Sequence, residues 1–98
     1  MPKGYIFAEL EVTDPAGYEE YRRQVPAVVA AYGGRYLVRG GDPVVLEGDV
    51  RIPRMVLLEF DSPERALAWY NSPEYQAILP IRLRASKGRA MCLTAPPA

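Results

Sequence analysis

Apolar and polar residues alternate along residues 5–12, with Ile6, Ala8, Leu10 and Val12 on one side and Tyr5, Phe7, Glu9 and Glu11 on the other. This period of two predicts a strand with one buried face. Asp14 then offers an oxygen to a helix N-terminus, Pro15 suits the first helical position, and Glu19 with Glu20 is expected to favour the positive end of the helix dipole. Tyr18, Tyr21, Val25, Val28 or Val29, and Tyr32 recur at the spacing of one helical face. Pro26 lacks a backbone donor and is expected to kink or divide this helix, and Gly33-Gly34 to end it.

A second strand is predicted over residues 35–39, broken by Gly40-Gly41-Asp42-Pro43 before a short extension over residues 44–46 and a turn at Glu47-Gly48-Asp49. In the third, residues 54–60, Val56, Leu58 and Phe60 face one way and Met55, Leu57 and Glu59 the other. Ser62-Pro63-Glu64 opens a helix through Ala66, Leu67, Trp69 and Tyr70, and Asn71-Ser72-Pro73-Glu74 stops it and caps another carrying Tyr75, Ile78 and Leu79. Pro80 is expected to break that helix before residues 81–85. Gly88 leads into a final strand over residues 89–94, and Ala95-Pro96-Pro97-Ala98 cannot continue a ladder.

Glu11, Asp14 and Pro15 recur as Glu59, Ser62 and Pro63 at one constant offset, so a strand running into a capped helix is written twice. The order βαββαβ predicts an α+β, ferredoxin-like sandwich: a four-stranded antiparallel sheet with its helices on one face. The side holding Ile6, Leu10, Val56, Leu58 and Phe60 is then covered from within. The other side, expected to carry Phe7, Leu37, Met55, Leu57, Met91 and Leu93, is left open and exceeds the apolar area a monomer normally exposes. A second copy, sheet against sheet in a twofold homodimer, is the economical way to cover it.

At 98 residues the chain is expected to form one domain over residues 1–98, with part of 92–98 as a tail. Lys plus Arg and Asp plus Glu balance at 12 each, which disfavours nucleic acid and anionic membranes as partners. No apolar run approaches the roughly 20 residues of a membrane span, and Met1-Pro2-Lys3-Gly4 has no signal-like apolar core; a soluble, cytoplasmic protein is expected. Histidine is absent and Cys92 is the one cysteine. The usual ligands for zinc, haem and copper are therefore lacking, and no metal or cofactor is expected. Within Ala90-Met91-Cys92-Leu93 the thiol reads as a small buried hydrophobe rather than a reactive group.

Candidate chemistry lies on the face expected to be open, where Glu9, Glu11, Arg39 and Glu59 alternate with apolar side chains. One reading is an intersheet ion-pair network that sets dimer register. The other makes Arg39 an anchor for a carboxylate or phenolate, with Glu59 or Glu9 as proton acceptor. Gly40-Gly41 either lets backbone approach a ligand or simply bends the strand. Trp69, Tyr70, Asn71 and Tyr75 gather where two helices meet, either as core aromatics or as the walls and hydrogen-bonding groups of a cleft between helix and sheet. Tyr18, Tyr21 and Tyr32 carry the same ambiguity. There is no G-x-G-x-x-G, P-loop or serine–histidine pairing, so dinucleotide, nucleoside triphosphate and triad chemistry lack support.

The runs Tyr18-Glu19-Glu20-Tyr21, Tyr32-Gly33-Gly34-Arg35-Tyr36-Leu37-Val38-Arg39-Gly40-Gly41, Leu46-Glu47-Gly48, Glu59-Phe60 and Ala68-Trp69-Tyr70-Asn71-Ser72-Pro73-Glu74-Tyr75-Gln76 closely resemble domain of unknown function family 1330. The resemblance covers residues 5–93 without departure. It implies the dimeric α/β-barrel superfamily, which includes cofactor-free oxygenases, lactone isomerases, haem-degrading enzymes and ligand-binding regulators. Haem degradation is disfavoured by the missing histidine, and a regulator by the lack of room for a DNA-binding domain. The leading expectation is a homodimer binding a small organic acid or phenolic metabolite in a cleft, with metal-free proton-transfer or isomerase chemistry. The alternatives are a cofactor-independent monooxygenase and a non-catalytic structural or binding homodimer.

Overall fold

The computed structural model describes residues 2–40, 43–50 and 54–96. Four strands, β1 (Gly4–Val12), β2 (Arg35–Arg39), β3 (Arg54–Phe60) and β4 (Ser86–Thr94), alternate with helices α1 (Pro15–Ala31), α2 (Pro63–Tyr70) and α3 (Pro73–Ala85). The strands form one antiparallel sheet in the order β2-β3-β1-β4. This is the ferredoxin-like βαββαβ arrangement, with α3 added between α2 and the last strand.

Each helix begins where its cap demands. Asp14 Oδ1 accepts from the Gly17 N–H at 3.2 Å, Ser62 Oγ from Arg65 at 3.1 Å and Ser72 Oγ from Tyr75 at 3.1 Å. A proline follows each cap, where its missing N–H costs nothing. Glu19 and Glu20 lie beyond the first turn of α1 and pair with Arg22 and Arg23, so their support is local rather than through the dipole.

Pro26 and Pro80 do not divide their helices: α1 and α3 run through them. The carbonyls left without a helical donor belong to Arg22 and Gln76, both on solvent-facing positions, where water can satisfy them. The expected extension over residues 44–46 is not a strand, and β4 begins three residues earlier than the alternation suggested, at Ser86. The Ala85 carbonyl accepts from Thr13 N–H at 2.8 Å and Asp14 N–H at 3.0 Å, tying the entry of α1 to the exit of α3.

Ile6, Ala8, Leu10, Leu58 and Phe60 turn inward beneath the helices and are buried. Tyr18, Tyr21, Val25 and Val29 of α1 meet Ile78 and Leu79 of α3 above them. Phe7, Leu57 and Met91 align across β3, β1 and β4 on the opposite side, as expected, with Met91 and Leu93 exposed. Cys92 is half-buried on the covered side, and burial, with Glu64 nearby, pushes its thiol up, in keeping with a packed hydrophobe.

Glu9 and Glu59 on the open face are paired along the ladder. Glu9 accepts from Arg89 Nε at 2.8 Å, its direct cross-strand neighbour. Glu59 pairs with Arg35 across β2 and accepts from Tyr5 Oη at 3.0 Å across β1. The Arg35 hydrogen bond, helped by that of Tyr5 and opposed by desolvation, holds Glu59 below the usual carboxylate range. A depressed folded-state pKa means that the pair's contribution is present above the unfolded-state pKa of about 4.3 and is lost as pH falls through the folded value. In urea unfolding followed against pH, wild type should therefore lose stability on the acid side of this window more steeply than Glu59→Gln; parallel profiles would show that the pair is not coupled to folding.

Candidate functional site

The covered side of the sheet carries an unusual share of polar aromatics. α1 places Tyr18 and Tyr21 one turn apart on its buried face, α2 ends its buried face on Trp69, and the cap at Ser72 turns the chain so that Tyr75 starts that of α3. Their rings form a continuous series. Phe60 lies 5.6 Å from Trp69, Trp69 4.1 Å from Tyr75, Tyr75 6.3 Å from Tyr21, and Tyr21 5.6 Å from Tyr18, measured between centroids. Such contacts add to burial about 0.5–1.5 kcal/mol each.

Burying a phenol requires a partner for its hydroxyl. Tyr21 and Tyr75 supply one another, Oη to Oη at 2.9 Å, joining α1 to α3 inside the core. Burial, then the nearby Tyr75, pushes the Tyr21 phenol far up. Tyr75 is also raised by burial, but the Arg82 charge and the Tyr21 hydrogen bond oppose the shift. A cation beside Tyr75 favours negative density on its oxygen, so the arrangement in which Tyr21 donates and Tyr75 accepts is preferred. At the far end of the series Arg54 Nε donates to Tyr18 Oη at 3.1 Å.

Between these rings and strands β1 and β3 lies a cavity of about 40 Å³. It is large enough for ordered water and for a small polar group, but not for a whole metabolite. Its lining includes Arg22, Arg54 and Arg82, and no carboxylate among the described residues. Arg22 is paired with Glu19 at 3.1 Å. Arg82 is 93% buried by its 7% exposure, and its Nε has no hydrogen-bond partner; the indole Nε1 of Trp69, 2% exposed, has none either. Both orphaned atoms are donors. No group of three or more His, Cys, Asp or Glu among the described residues is arranged to hold a metal.

The residues singled out in the sequence divide between two sides of the sheet. Trp69, Tyr70 and Tyr75 line the cavity. Asn71 is exposed as the C-cap of α2, its backbone N–H donating to the Leu67 carbonyl at 2.9 Å. Glu9 and Glu59 lie on the open face in the ion pairs described above. Arg39, expected beside them, is on the other side. A bulge between Tyr36 and Val38 pairs Val38 with Leu57 and Arg39 with Val56, which reverses the parity after Leu37. Arg39 thus sits over the ring of Tyr36, 4.7 Å from its centroid, and Tyr36 is a wall of the cavity. Arg39 and Glu59 do not meet.

Gly40 closes β2 at φ +73°, where a side chain is strained, and donates its N–H to the Met55 carbonyl at 2.8 Å; a Cβ there would lie 2.6 Å from Arg54 Nη1 and displace the guanidinium. Gly41 lies outside the described residues. Arg54 and Arg82 were not singled out, although each left a signal. Arg54 shares parity with Val56, Leu58 and Phe60, and Arg82 continues the buried spacing of Tyr75, Ile78 and Leu79.

The sequence matches the family described as Domain of unknown function (DUF1330) over residues 3–96, and the chain belongs to it. No curated protein matches it. Among solved structures, it is similar to RPA0582, a protein of unknown function from Rhodopseudomonas palustris (16% identity, TM-score 0.75, 99% of this chain and 83% of that one). It is also similar to SnoaB, a cofactor-independent oxygenase from Streptomyces nogalater (13%, 0.64, 100% and 97%). A third is a dimeric ferredoxin-like protein of unknown function from Thermobifida fusca (16%, 0.63, 97% and 92%). At these identities the likeness is one of fold.

Removing one hydroxyl of the central pair leaves the other buried alone. Tyr75→Phe should lose about 1–3 kcal/mol in urea unfolding, and Tyr21→Phe with Tyr75→Phe together less than the sum of the two single variants. Additive losses would mean that the two hydroxyls do not stabilise one another.

Proposed function

We propose that this DUF1330 protein is a homodimer whose helix–sheet cleft binds a small organic acid or phenolic metabolite and supports metal-free proton transfer on it. The observation that carries the reading is the character of the cleft: aromatic walls and the side chains of Arg22, Arg54 and Arg82, with no carboxylate among its described lining residues. A ligand that suits it brings acceptor oxygens and an apolar body. Because the cavity admits only a polar head, the body of the ligand extends toward the half-buried Tyr70 and the exposed Arg22, and side chains there move to admit it.

In this reading Trp69 and Tyr75 are walls, and Arg39, with Gly40 beside it, belongs to the rim through Tyr36. The Tyr75 hydroxyl, backed by Tyr21, is the group placed to exchange a proton with the ligand. Glu9 and Glu59 point away from the cleft and serve the sheet-on-sheet interface, where their ion pairs with Arg89 and Arg35 fix its register. The homodimer is supported by the open apolar face, with Leu37, Val38, Met91 and Leu93 all exposed, and by similarity to a protein described as dimeric. Similarity to SnoaB favours a second reading, in which the bound phenolate itself reacts with oxygen. Ligand-dependent oxygen consumption separates the two.

Native mass spectrometry after incubation with a small-metabolite extract, and removal of the excess, tests the first reading. A dimer bearing a discrete extra mass, lost in Tyr70→Ala or Tyr75→Phe, is expected. A bare dimer with every extract would overturn ligand binding, and a monomer would overturn the use of the open face.

A further inference from the structure

A hollow of about 240 Å³ adjoins the cleft at the β4 edge of the sheet, and any role it has in binding rests on the cleft being the binding site. It lies where α2 packs on β1 and β4, with Leu67 and Tyr70 on one side and Ala90, Met91 and Cys92 on the other. Ile6, Tyr70 and Ala90 also line the cavity of about 40 Å³, so the two spaces meet at these residues. Ile6 is fixed in the sheet at 6% exposure, and Ala90 offers only a methyl group. Tyr70 is the large, half-buried side chain at the junction, and its hydroxyl has no hydrogen-bond partner among the described residues. Its ring is held by packing on Tyr75 and Trp69, 5.4 and 6.2 Å between centroids.

The two spaces differ in chemistry. Arg22, Arg54 and Arg82 line the inner one, whereas no charged side chain lines the outer one. Leu67 and Met91 leave apolar surface open in it, at 47% and 39% exposure. Burial, and then the charge of Glu64 just outside, push the Cys92 thiol up, so the field at the outer end is negative. A ligand spanning both spaces thus turns its acceptor oxygens inward. A second anionic group at its far end would lose hydration with no cation to replace it. The hollow has room for about eight groups the size of a water, enough for a ring or a short chain.

We infer that this hollow is the apolar subsite of the cleft: it takes the uncharged tail of a ligand whose polar head enters the inner cavity past Tyr70, and it rejects a tail that ends in a carboxylate. Tyr70 is the partition between the two spaces, and Leu67, Met91 and Cys92 set the preference for the tail. Every wall of the outer space except Ile6 is exposed or half-buried, so a tail can reach it.

Paired probes that share a head and differ in the tail test this. Hexanoate is compared with butanoate and with adipate, and 4-propylphenol with phenol and with 3-(4-hydroxyphenyl)propanoate, so that either kind of head is covered. Each buried methylene raises affinity about fourfold, so with the head that binds, the uncharged longer tail should gain tenfold or more over its shorter partner. Its carboxylate-ended counterpart should show no such gain. Met91 is one of three methionines, and its methyl signal, identified by loss in Met91→Leu, should move on binding while that of Met55, outside the hollow, stays. In Leu67→Ser, an exposed position that touches the hollow and not the inner cavity, the gain from the longer tail should shrink at least threefold with affinity for the shorter probe unchanged.

Equal affinity for the carboxylate-ended tails, or a tail gain that Leu67→Ser leaves intact, would overturn the apolar subsite while leaving the cleft as a binding site. Leu67→Ser that weakens the dimer and leaves the tail gain untouched would assign the hollow to a second copy of the chain and overturn it too. Binding of none of the six probes would overturn the cleft reading as well.

Discussion

The hydrogen bond between the Tyr21 and Tyr75 hydroxyls is the constraint around which the helical layer is arranged. A chain of 98 residues has one modest core, and here much of it is built from rings that carry polar tips. Each tip needs a partner. Two tyrosines from different helices satisfy each other at 2.9 Å, which fixes how α1 meets α3. That crossing in turn brings Arg82 beside Tyr75 and encloses a small space lined by aromatic rings and arginine side chains. The cleft is thus a consequence of how the core solves its polar problem.

The sheet keeps this chemistry apart from its other face. On the covered side the charges are guanidiniums gathered around aromatic walls. On the open side Glu9 and Glu59 are each joined to an arginine on a neighbouring strand, among exposed apolar residues. Charge is unbalanced where a ligand is proposed and balanced where a second subunit is proposed. No described helix is long and apolar enough to cross a membrane.

Most of the architecture was legible because it rests on local rules. The alternation of β1 and β3 is strict, and Asp14, Ser62 and Ser72 cap helices where a proline follows each of them. Pro26 and Pro80 misled because their cost depends on whether the carbonyl they abandon can reach water, and that is a property of the packed structure. The site was legible in its aromatics and not in its cations. A single bulge at Leu37 moved Arg39 across the sheet, and an inserted residue leaves no mark in a five-residue strand. Arg54 and Arg82 stand at a strand start and near a helix end, where a charged side chain usually reaches water. Their spacing with buried neighbours was the better guide.

A crystal structure of the protein tests the central claim most directly. The account predicts the Tyr21 and Tyr75 hydroxyls within hydrogen-bonding distance of each other, with α1 and α3 meeting over them and the small cavity beside the Trp69 ring. Hydroxyls held apart, each bonded to some other group, would contradict it.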